Sequence, residues 1–121
     1  LLLLVKIGCE MAGIGPFISH PDTELRGLPS GSTELTLRAV ALARILLPNS
    51  NLPATTSLGV VDTFQKNKVF SCGANVIMQK ITPSCYKRLY EIYPSNLADF
   101  DIQAGRDAVE KLIYEMGKIP L

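Results

Sequence analysis

Histidine occurs once, at His20, and cysteine three times, at Cys9, Cys72 and Cys85, with no CxxC or CxxxCxxC spacing. That scarcity excludes a recognisable zinc or iron-sulfur site, which needs several soft ligands at short fixed spacings. Three scattered thiols read instead as reduced cysteine in an intracellular, reducing compartment. Charge of one sign is lacking too. Twelve basic and eleven acidic residues, a net charge of +1, leave no electrostatic footprint for nucleic acid or an anionic membrane, so neither is expected as a partner. The four leading leucines are the longest run of one apolar residue type, without a basic leader and far short of the roughly 20 residues that span a bilayer. A first residue that is leucine rather than methionine leads us to expect a longer parent protein.

What remains is enough for one globular core: 121 residues, 47% of them hydrophobic. Residues 11–18, MAGIGPFI, are apolar almost throughout yet broken by Gly13, Gly15 and Pro16, which fits a strand covered on both faces. A polar loop follows, from Ser19 through His20, Pro21 and Asp22 to Thr23. In a βα series the loops leaving strand C-termini carry the chemistry, so a site is expected to open there. The leading leucines read as the end of a helix closed by Gly8. A long amphipathic helix is expected over 33–47, N-capped by Ser32 and stopped by Pro48. Its apolar face is read as Leu35, Ala39, Val40, Leu42, Ala43, Leu46 and Leu47, and its polar face as Glu34, Arg38 and Arg44. A second strand is expected over 54–61 and a third over 74–78, with a loop and short helix between them. Thr82 and Pro83 begin a helix running to Tyr93, and a last helix over about 105–116 ends at Gly117.

Alternation of this kind implies right-handed crossovers and a parallel sheet, the α/β class. Three strands cannot close a barrel, so the expectation is about three βα units of a (β/α) TIM-type barrel, incomplete as given. A small open domain is the alternative, with sheet edges that a partner must cover.

Three segments carry a family resemblance: GIGPFISHPDTEL (13–25), TLRAVALARILLPNSNLPATTSLG (36–59) and CGANVIMQKITPSCYKRLYEIYP (72–94). They resemble the C-terminal half of the radical S-adenosylmethionine maturases of FeFe hydrogenase, the HydE type, related to biotin synthase. The resemblance covers residues 1–94 as C-terminal βα units of a radical SAM barrel, with 95–121 as a C-terminal helical extension. It implies S-adenosyl-L-methionine and a 4Fe-4S cluster in a complete enzyme, a small-molecule substrate, the other half of the barrel as a partner, and contact with other hydrogenase maturation proteins. The cluster ligands are absent from this chain, so no catalytic residue is assigned and no activity is expected of it alone.

By position, the resemblance implies that Thr55, Thr56, Met78, Tyr90 and Met11 line the substrate cavity. Each has a plainer reading. Threonine suits strands, and methionine is a common filler of cores. His20 beside Asp22 could serve as acid, base or ligand, but reads better as a loop histidine capping a turn. Gln65, Lys66 and Asn67 stand where the family has glycine, arginine and glutamate, and lysine lacks arginine's planar fork. Gln79 replaces a usual proline. Two further readings stand beside the maturase: a biotin-synthase-like or methylornithine-synthase-like radical SAM fragment, and a non-catalytic remnant or binding module.

Overall fold

The computed structural model describes residues 1–65, 67–90, 92–93 and 101–121. The chain divides into two units, Leu1–Met78 and Gln79–Leu121.

In the first unit a short helix, α1 (Leu2–Lys6), ends at Gly8, whose φ of 66° is open to glycine at no steric cost. The Gly8 amide donates to the Val5 carbonyl and the Cys9 amide to the Leu4 carbonyl, the paired bonds of a Schellman stop. Leu4 and Cys9 then pack together on the core formed by Ala12, Ala43, Leu47 and Leu52. Helix α2 (Thr33–Leu46) begins as its sequence dictates, with the Ser32 hydroxyl accepting from the Leu35 amide at 3.2 Å. Its buried face differs from the expected one. Thr36, Leu37, Val40 and Ala43 are buried, while Leu35 is 67% and Ile45 76% exposed and Leu42 is exposed as well. The helix is apolar over more than one stripe, and packing against α3 (Thr56–Val61) and α4 (Lys68–Ser71) selects one.

Three extended segments run parallel. Met11 bridges Asn51, and Pro53 bridges Val76. The Asn51 amide donates to the Glu10 carbonyl and the Ala12 amide to the Asn51 carbonyl; on the other side the Asn75 amide donates to Leu52 and the Ala54 amide to Val76. The middle segment is thus paired on both sides. It stays short because Pro53 has no amide to donate and because the chain turns helical at Thr56. The second strand expected over 54–61 is therefore corrected: α3 occupies most of it. Threonine and valine favour strands only weakly, and burying Leu58 to 1% exposure by helical packing overrides them.

Arg44 also departs from its expected place on the solvent face. Its Nε donates to the Gly73 carbonyl at 2.9 Å, Nη1 to Leu47, Pro48 and Ser50 carbonyls, and Nη2 to Asn75 Oδ1 at 3.0 Å. Asn75 Oδ1 accepts the Leu52 amide at 2.7 Å as well, so this side chain joins the second and third segments where backbone pairing is sparse.

In the second unit, a 3₁₀ turn over Ser84–Tyr90 takes the place of the helix expected to reach Tyr93. Helix α5 (Ile102–Glu115) starts about one turn before the expected boundary, because the Asp101 carboxylate accepts the Gln103 amide as an N-cap. Gly117 stops it with the same paired bonds as Gly8, from Gly117 to Tyr114 and from Lys118 to Ile113. No described helix is long and apolar enough to cross a membrane. The 94/95 boundary and Lys66 lie outside the described residues.

Candidate functional site

The geometry is built from the C-terminal ends of the parallel segments. Counting on from the two bridges, Thr55 falls level with Gly15 on one side and Met78 on the other. The first pairing is made by side chains. The Thr55 hydroxyl donates to the Ile14 carbonyl at 3.4 Å, and the Ser57 hydroxyl donates to Thr55 Oγ1 at 3.3 Å. Gly15 is required at this level: a Cβ there would lie 2.4 Å from the Ser57 hydroxyl and 2.5 Å from that of Thr55. Ser57 itself is buried, Thr55 half-buried and Thr56 exposed.

Of the five residues that the resemblance places in a cavity wall, Thr55, Thr56 and Met78 come to one end of the parallel segments. Met11 does not. It sits at the Asn51 bridge, four residues before the Gly15 level, or about 13 Å along an extended chain. Both methionines are exposed rather than packed in the core, against the plainer reading of each as a filler. Tyr90 belongs to the second unit, where it lines an open concavity of about 430 Å³ with Ile81, Thr82, Pro83 and Tyr86.

His20 takes the turn-capping role. Its Nδ1 accepts the Asp22 amide at 3.2 Å and lies 3.9 Å from an Asp22 carboxylate oxygen, while its carbonyl accepts the Thr23 hydroxyl at 2.9 Å. An Nδ1 that accepts leaves the proton of the neutral ring on Nε2. The loop that departs from the family closes on itself. Asp62 Oδ1 accepts the amides of Phe64 and Gln65, and its Oδ2 accepts the Gln65 side chain at 3.0 Å.

The sequence marks Gly15 only as a break in the first strand and gives Ser57 no role at the site; the close spacing of Thr55 and Ser57 is the one signal it offers. Neither residue type marks a site by itself. Among the described residues no group of three or more histidine, cysteine, aspartate or glutamate side chains could hold a metal ion. Cys9 and Cys72 are half-buried and Cys85 exposed, all as free thiols, and the Cys9 thiol donates to the Met11 carbonyl at 2.9 Å. The donor set does not fit an iron-sulfur cluster, whose irons each take cysteine thiolates.

No protein-family model matches the chain. Over 121 residues, 99% of its length, it is 46% identical to the FeFe hydrogenase maturase subunit HydE of Thermotoga maritima, and it covers 35% of that protein. The chain thus spans about a third of the length of the curated relative it matches. The three segments that carry the resemblance thus belong to one alignment over nearly the whole chain, in which it is similar to part of a HydE maturase.

Proposed function

We propose that this polypeptide is part of a radical S-adenosylmethionine enzyme of FeFe hydrogenase maturation, and that it contributes the C-terminal wall of the substrate cavity. The carrying observation is the 46% identity sustained over 99% of the chain. In this reading the three extended segments, which pair in parallel at two bridges, belong to βα units of a (β/α) barrel, and Thr55, Thr56 and Met78 stand at the end where such barrels hold their ligands. In this reading the substrate is a small molecule, other maturation proteins are partners, and the compartment is intracellular and reducing. The 4Fe-4S cluster and most contacts to S-adenosyl-L-methionine are supplied by polypeptide other than these residues, among whose described side chains there is no fitting donor set. This chain's share is to shape and line the cavity.

The test is a fusion. The 121 residues replace their matched stretch in Thermotoga maritima HydE, and FeFe hydrogenase activation is measured in a host lacking its own HydE. Activation above that of the truncated maturase supports the reading. A folded fusion that activates nothing, beside an active intact maturase, rejects it.

One observation favours a second reading, a non-catalytic module. Asp62 spends both carboxylate oxygens on its own loop, so the 62–65 turn is closed without a ligand. The fusion separates the two.

A further inference from the structure

The chain's one histidine sits where a single proton changes which bonds are available. We propose that His20 is a proton-operated catch on the loop over 17–31: the neutral ring anchors the Asp22 backbone, and the protonated ring releases it and turns to the Asp22 carboxylate. The catch is a property of the loop itself and does not depend on the maturase reading.

The loop leaves the C-terminal end of the first parallel segment and is closed at its neck, where the Gly31 amide donates to the Phe17 carbonyl at 2.9 Å. That neck is tight, since a Cβ on Gly31 would lie 2.7 Å from the Phe17 nitrogen. Inside it, His20 Nδ1 accepts the Asp22 amide at 3.2 Å, which only an unprotonated Nδ1 can do. In the imidazolium both ring nitrogens are donors, so this bond is lost and two N–H groups face each other. A replacement acceptor stands beside them, because an Asp22 carboxylate oxygen lies 3.9 Å from the same Nδ1. This carboxylate, exposed and on the same turn, is the charged group that faces the ring. The rest of the turn is indifferent to the proton. The His20 carbonyl accepts the Thr23 amide at 3.2 Å and the Thr23 hydroxyl at 2.9 Å, and neither bond involves the ring. Protonation therefore exchanges a bond to backbone for an ion pair to a side chain, with the neck and the turn kept. The ring is half-buried, open enough to take its proton from solvent, and histidine changes charge between about pH 5 and 8.

The test uses the isotope-labelled 121-residue chain at about pH 8 and about pH 5.5. Two-bond ring correlations should place the proton of the neutral ring on Nε2. Protection of the Asp22 amide from exchange should fall about fivefold on acidification, the worth of one ordinary hydrogen bond. The Asp22 carboxyl carbon should shift along the ring's own transition, while the Thr23 and Gly31 amides keep their protection. H20N carries a side-chain oxygen that accepts the amide two residues on at any pH, so it should hold Asp22 protection at both values. H20A should lack that protection at both. A ring proton on Nδ1 at about pH 8, Asp22 protection unchanged while the ring titrates, or H20N losing protection as wild type does overturns the catch. Loss of Gly31 protection together with that of Asp22 overturns it too, because the loop then opens as a whole.

Discussion

Arg44 does more for the first unit than any other single polar side chain described. It sits in the last turn of α2, where a cation opposes the negative end of the helix dipole, and it also donates to carbonyls of Leu47, Pro48, Ser50 and Gly73 and to Asn75 Oδ1. R44A leaves all five acceptors without that donor. A loss of about 2–3 kcal/mol is expected, since hydrogen bonds to charged groups are worth about 1.5–3 kcal/mol and not every acceptor will find water. R44K should recover less than half, because an ammonium cannot span both sides of the fork. Gly73 is the other half of this contact. Its φ of 113° is foreign to residues with a Cβ, and a Cβ there would lie 2.6 Å from that of Arg44. G73A should therefore cost about 1–3 kcal/mol from backbone strain alone. Urea unfolding checks both, as a lower midpoint at unchanged slope; an R44A midpoint equal to wild type would sink the account.

Elements were legible where local chemistry decides and illegible where packing does. Ser32, Gly8 and Gly117 act on their nearest neighbours, so a cap or a stop could be read directly from them. The face of α2 could not. Leu35, Leu37, Val40, Leu42 and Ile45 offer several apolar stripes, and only contact with α3 and α4 chooses among them. Thr56–Val61 likewise has strand composition and helical structure, a choice made by where Leu58 is buried. The candidate site was legible through resemblance alone, since threonine and methionine carry no local mark of a cavity wall. The two long helices make a paired prediction. S32A removes the cap of a helix with buried residues, so it should cost about 1 kcal/mol of global stability. D101A removes the cap of α5, none of whose residues is buried, so its effect should be confined to faster amide exchange at the start of that helix. Hydrogen exchange separates the outcomes, and a global loss from D101A would contradict this picture of α5.

At the scale of the whole molecule, the buried apolar residues among those described fall between Ala12 and Ala74, within Leu1–Met78. The apolar surface is correspondingly generous. Leu35, Leu42 and Ile45 recur at helical spacing on the exposed side of α2, and Phe64 is fully exposed in the Asp62 loop. Exposed apolar stripes of this kind bind hydrophobic dyes and drive association as concentration rises. Charge offers little resistance, because a net charge of +1 on 121 residues supplies almost no repulsion between copies. The 121-residue chain should therefore enhance anilinonaphthalene sulfonate fluorescence in its native state and sediment as larger species at higher concentration. L42K with I45E breaks the stripe at two exposed positions without touching Val40 or Ala43, so dye binding and association should both fall while the melting temperature holds. Unchanged dye binding in that double variant would move the responsible surface away from α2, to Phe64 or to the exposed leucines of α1, where F64S and L3K discriminate between them.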